Sequence, residues 1–147
     1  MDPLIYRFDL LWSEGAAYNL TFKGAMQSWR PLMRKQGIAV ISELSWFHRD
    51  HPPEAYEYWM LNYPEMATET MNQAIAEQYR FKLLFKDRLP PEAWWENYYK
   101  PLADRLERQA GPSAAMDKVM AETRKEMDLF RKYSEDYGYT FYVLEAV

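Results

Sequence analysis

The chain has 147 residues and a mass of 17.7 kDa, enough for one domain with a substantial core. Its 22 Asp+Glu against 18 Lys+Arg leave a net charge of -4, which argues against a general binder of nucleic-acid phosphates, and the absence of cysteine excludes disulfides, thiolate zinc sites and cysteine nucleophiles. No apolar run reaches the roughly 20 residues that a membrane-spanning helix needs, and no charged-then-apolar leader opens the sequence, so a cytoplasmic protein without membrane or nucleic-acid partners is expected.

Phe8-Asp9-Leu10-Leu11-Trp12 is a short apolar run closed by Ser13-Glu14-Gly15, and it reads as a buried strand ending in a turn. Asn19-Leu20-Thr21 offers a helix start, after which Phe22, Met26, Trp29 and Met33 share one helical face. Pro31 should kink that helix or tighten its last turn, Arg30, Arg34 and Lys35 read as its solvated end, and Gly37 stops it. Ile38-Ala39-Val40-Ile41 then forms a second buried strand closed by Ser42-Glu43. Strand, helix and strand make a βαβ unit, which sets Glu14 and Glu43 at the carboxyl ends of parallel strands, where open α/β sheets bind ligands.

The middle of the chain is helical and broken by prolines. A helix opened by Pro52-Pro53-Glu54 carries Tyr56, Trp59, Met60 and Tyr63, and a second one runs from Thr68 or Thr70 to about Gln78 with Met71, Ala74 and Ile75 apolar. Phe81 to Phe85 reads as a strand, and Leu89-Pro90-Pro91-Glu92 opens a helix holding Trp94, Trp95, Tyr98 and Tyr99 that Pro101 should bend. After Gly111-Pro112-Ser113, with Ser113 as cap, Met116, Val119, Met120, Thr123, Met127, Phe130, Tyr133 and Tyr137 keep one helical face as far as Gly138. Tyr139 to Leu144 is the last strand, and no linker or repeat divides the 147 residues.

Aromatic side chains are 17% of the chain, a proportion that suits a bulky core and interface or an aromatic-walled pocket. The cluster His48-Arg49-Asp50-His51 has no further ligands at metal-site spacing and reads as a loop. Hydrolase, phosphate-loop and zinc-protease motifs are absent, and so is a GxGxxG-type loop: the five glycines stand far apart, at Gly15, Gly24, Gly37, Gly111 and Gly138.

The stretch from Phe8 to Asn19, with its WSEGAxYN core, resembles the fourth-strand segment of class I S-adenosylmethionine-dependent methyltransferases. The likeness continues through Ala39–Trp46, Tyr58-Trp59, Asn62–Glu65, the AWWENYYxPL stretch from Ala93 to Leu102, and Tyr133 to Tyr139. It covers the carboxyl-terminal half of that family. Two departures are Gln36-Gly37, where a double glycine is common, and Gln78-Tyr79, where Gly-Tyr is usual.

The resemblance implies an α/β fold: a partial Rossmann-like sheet of about four strands, the last antiparallel and inserted between its two predecessors, flanked by helices, with helical cap segments at about 50–78 and 90–110. It implies S-adenosylmethionine as cofactor and a small-molecule substrate. Glu14 and Gly15 would face the cofactor, while Tyr18, Asn19, Glu43, Trp95, Tyr98 and Tyr99 would face the substrate. Because the glycine-rich half is missing from these residues, weak or no cofactor binding and no activity by the chain alone are expected. A non-catalytic ligand-binding or assembly protein is the alternative. In either case the far edge of strand 8–13 calls for cover by a second copy or a complementing chain.

Overall fold

A computed structural model of the protein describes residues 7–14, 20–108 and 114–147. The expected parallel pair is present: β1 (Phe8–Ser13) lies beside β2 (Met33–Trp46), with α1 (Phe22–Trp29) between them in the chain. Thr21 caps α1, its Oγ1 accepting from the Gly24 N–H at 3.1 Å. The helix is shorter than the Phe22–Met33 pattern suggested. Pro31 has no N–H to continue the ladder, so Arg30–Leu32 tighten into a 3-10 turn and Met33, Arg34 and Lys35 pass into β2. A bulge absorbs the surplus, since Phe8 pairs with Met33 but Leu10 with Ile38. Inside it Gln36 takes a φ of 71°, a left-handed value that glycine adopts more readily and that fits the double glycine common at this place in the resemblance. Gly37 is required by space: a Cβ there would sit 2.9 Å from the Arg34 carbonyl oxygen and 3.1 Å from that of Phe8.

The chain then forms α2 (Pro53–Asn62), a two-residue β3 (Ala67–Thr68), α3 (Glu69–Gln78) and β4 (Phe81–Arg88). Thr68 caps α3 through the Met71 N–H. Next come α4 (Pro91–Trp94), a π-helical turn at Trp95–Tyr99, α5 (Lys100–Arg108), α6 (Ala114–Tyr133) and β5 (Tyr137–Ala146). The strand order is β1-β2-β5-β4, and β5 is antiparallel to both of its neighbours, as the resemblance implied. The additional strand is β3, which pairs with β2 at Ser45 and Trp46. Tyr137 and Gly138 belong to β5 and not to α6, because a turn closed by the Asp136 N–H on the Tyr133 carbonyl ends the helix earlier. The proposed cap Ser113 lies outside the described residues.

Helices cover both faces of the sheet. On one face Phe22, Ala25 and Met26 of α1 and Ala76 of α3 pack on Ile41, Phe81, Tyr142 and Leu144. On the other, Trp59, Trp94, Tyr99 and Phe130 pack around Leu44, Trp46 and Tyr137. The buried stripes differ from those expected: α2 buries Ala55 and Trp59, with Tyr63 just past its end, and leaves Tyr56 and Met60 exposed. In α3 the buried residues are Glu69, Asn72 and Ala76, while Met71 is exposed.

These buried polar groups have partners, which is why they tolerate the interior. Asn72 donates to Ser45 Oγ and Tyr142 OH, and Glu69 takes a bidentate contact from Arg88 (2.7 and 3.1 Å) and a third bond from Thr140. Arg30 is no solvated helix end either: it is buried and donates to the carbonyls of Met33, Arg80 and Val147, tying three strand ends together.

Strand β1 is not buried. Leu11 packs on the core, but Leu10 and Trp12 are 59% and 60% exposed, and among the described residues β1 is the edge of the sheet. Directly opposed residues Trp12, Val40, Val143 and Phe85 make an apolar row across four strands on one face, open at both ends, with Phe85 56% exposed.

Candidate ligand cavity

A cavity of about 830 Å³ opens at the end of the sheet where β1 finishes. Glu14, one residue past β1, stands at its rim; Ser42, Glu43 and Leu44 of β2 and Tyr139 and Phe141 of β5 form its base. One wall comes from α2 and its end, with Tyr58, Trp59, Asn62 and Tyr63. The opposite wall is Ala93 and Trp94 of α4, then Asn97 and Tyr98 of the π turn, and Glu126 of α6 closes the side.

The π turn decides which aromatic rings reach the cavity. Pro101 has no N–H to donate to the Asn97 carbonyl, and just before it the Lys100 N–H reaches back five residues to the Trp95 carbonyl. With one residue more per turn, Trp94 and Tyr99 share the inner face. Both are buried, and their rings stack 5.5 Å apart at 14°. Trp94 also packs on Phe130 (4.3 Å) and Tyr139 (4.4 Å). Trp95 is turned toward α6, where the Arg131 guanidinium lies 4.6 Å from its ring centre.

Glu43 is the most unusual group in the cavity. Two residues beyond the β1–β2 pairing, it stays inside β2, which continues to Trp46 and does not close at Ser42-Glu43. It is only 3% exposed, and its Oε2 has no hydrogen-bond partner. Burial pushes its carboxyl up to about 7; the facing Tyr63 hydroxyl and the Leu44 backbone offset part of that rise. The Tyr63 hydroxyl has no well-directed bond of its own, and the indole N–H groups of Trp59 and Trp94 are also buried without acceptors. On the far side Glu126 accepts from Tyr99 OH at 2.9 Å, yet burial still holds its carboxyl above the ordinary range. Tyr58 is raised to about 12 by burial and by Glu126 and Glu122.

Of the residues singled out in the sequence, Glu14, Glu43 and Tyr98 line this one cavity. Trp95 and Tyr99 do not line it, for the helical-turn reason just given: Tyr99 supports the wall from behind through Trp94 and Glu126. Gly15, Tyr18 and Asn19 lie outside the described residues. Trp94, Trp59, Tyr63 and Glu126 complete the lining without having been singled out for it. The signal for Trp94 was Pro101, which shifts the inward face by one residue; Glu126 sits in a long amphipathic helix and carries no local signal. His48 and His51 are in a loop, His48 within 3.1 Å of the Glu135 carbonyl and His51 stacked on Trp46 at 4.3 Å. Among the described residues no group of three or more His, Asp or Glu could hold a metal ion, and no helix is long and apolar enough to cross a membrane.

Among the described residues no glycine lines the cavity. Gly24, Gly37 and Gly138 are each packed against Thr21, the Arg34 and Phe8 backbone, or Phe47. Glu14 is the one described residue immediately beyond β1 that faces the opening.

Nothing among protein-family models or curated sequences matches this chain. Solved structures do match it. YjhP from E. coli aligns with a TM-score of 0.77 at 18% identity, over 97% of this chain and 60% of its own. A SAM-dependent methyltransferase from Geobacter sulfurreducens in complex with S-adenosyl-L-homocysteine gives 0.71 at 16%, over 96% and 59%. A putative sarcosine dimethylglycine methyltransferase from Galdieria sulphuraria gives 0.70 at 10%, over 95% and 53%. The chain therefore has the fold of class I S-adenosylmethionine-dependent methyltransferases, and it spans 60% or less of the length of these three structures.

Proposed function

We propose that this chain is the acceptor-binding portion of a small-molecule methyltransferase that uses S-adenosylmethionine, and that these 147 residues alone do not transfer a methyl group. The observation that carries the reading is the cavity: in a methyltransferase fold, a space of about 830 Å³ with aromatic walls and a buried carboxyl whose Oε2 has no hydrogen-bond partner lies at the sheet end beside β1. The chain's own contribution is to bind and orient the acceptor, which is a large part of the rate for a transfer between two bound molecules. S-adenosylmethionine supplies the electrophilic methyl group when it is bound. The reading that other polypeptide grips the donor is supported by the span of the chain, which covers 60% or less of the three matched structures. Calorimetry of the 147-residue chain with S-adenosylmethionine tests this, with no binding expected in the low-micromolar range; a low-micromolar dissociation constant overturns it.

A second reading is a non-catalytic ligand-binding or assembly protein, homodimeric through β1. It is supported by the open edge and by the exposed apolar side chains Leu10, Trp12 and Phe85. On the first reading the same surface receives the cofactor-gripping half as a complementing chain.

A further inference from the structure

We infer that the cavity takes a small organic cation, an aliphatic ammonium group on a compact apolar body, as its ligand. The inference rests on the reading of this cavity as the acceptor site and narrows its substrate class.

Charge is the first argument. Three glutamates, Glu14, Glu43 and Glu126, border the space, and among the described residues that line it there is no Lys, Arg or His. Of the basic groups of α6, Lys125 lies over the ring of the lining residue Tyr58 at 5.7 Å without itself lining the space, and Lys132 pairs with Glu54 at 2.7 Å. The contrast with Glu69 is direct. That carboxylate is about as buried as Glu43, but Arg88 and Thr140 satisfy it, and despite burial it is held below its ordinary range. Glu43 has no such partner, so burial leaves it raised, and a ligand cation would supply what Arg88 supplies to Glu69. An anionic ligand would meet three carboxyl groups, which its charge would disfavour further, and no counter-charge among the described lining residues.

The walls are the second argument. Tyr58, Trp59, Tyr63, Trp94 and Tyr98 surround the carboxylates, and aromatic faces attract a desolvated ammonium while rejecting a carboxylate. A neutral apolar ligand would enjoy the rings but leave the buried Glu43 Oε2 unsatisfied. Together the rings and carboxylates select for positive charge on a compact apolar body.

The test compares choline with 3,3-dimethylbutan-1-ol, its uncharged isostere, by calorimetry and tryptophan fluorescence on the 147-residue chain without any methyl donor. Choline is expected to bind at least tenfold more tightly. The Glu126→Gln and Glu43→Gln variants should each lose most of that preference while keeping affinity for the alcohol. Equal binding of the two compounds, tighter binding of the alcohol, or no binding of either overturns the inference. Because no donor is present, this failure is distinct from failure of the methyltransferase reading, which the S-adenosylmethionine titration reports.

Discussion

Two buried glutamates in this protein have opposite effects on stability, and their partners account for the difference. Glu43 is raised to about 7 in the fold against 4.5 for an ordinary glutamate, so the folded state holds its proton more tightly. Its contribution is fully present below pH 4.5 and is lost as pH rises through 7, a change of about 3 kcal/mol over that window. Glu69 is shifted the other way, and its contribution is lost only as pH falls below the ordinary carboxylate range. Glu43→Gln should therefore leave stability near that of the parent at pH 5 and raise it by about 3 kcal/mol at pH 8.5, read as a higher urea midpoint. A parent whose midpoint does not fall between those two pH values contradicts the assignment. A group that destabilises the fold near neutral pH is what a binding site retains and a core would discard. Glu43 and Glu14 could be picked out in the sequence because both follow apolar runs. The unsatisfied state of Glu43 could not, since it depends on Tyr63, Trp59 and Trp94 arriving from other elements.

At the scale of elements, alternation and proline did most of the work. The strands β1, β2, β4 and β5 were legible from apolar runs, and the two proline-opened helices began within a residue or so of where they were expected. The errors came from competing local chemistry. Pro31 ended α1 early, a bulge lengthened β2, and the buried face of α3 turned by one position because Glu69 and Asn72 found partners in the interior. The π turn before Pro101 is the element on which the cavity wall depends. Pro101→Ala restores a donor for the Asn97 carbonyl, so the turn should relax toward α geometry, with stability rising by about 1–3 kcal/mol. The same change should move Asn97 and Tyr98 away from the cavity and weaken choline binding severalfold. An unchanged midpoint together with unchanged binding would show that Pro101 does not set the turn.

For the whole molecule, the open question of the sequence was what lies against β1, and the structure locates the surface concerned. The edge of β1 is unpaired among the described residues, and Leu10 and Trp12 on it, with Phe85 at the other end of the row through Val40 and Val143, are exposed to water. That exposure was not legible from the run Phe8–Trp12 itself, since an apolar strand reads as buried whether or not its cover belongs to the same chain. Light scattering of the purified chain at micromolar concentration should give a mass above 17.7 kDa. The double variant Leu10→Lys, Trp12→Lys should return it to the monomer mass with little loss of stability, since both side chains are already exposed. A monodisperse parent monomer would mean that the surface needs no cover. Anything that binds the folded sheet but not the unfolded chain stabilises it by mass action. With Trp12 at such a contact, dilution should dissolve the assembly and soften the sheet together, so that the melting temperature belongs to a concentration as much as to a sequence.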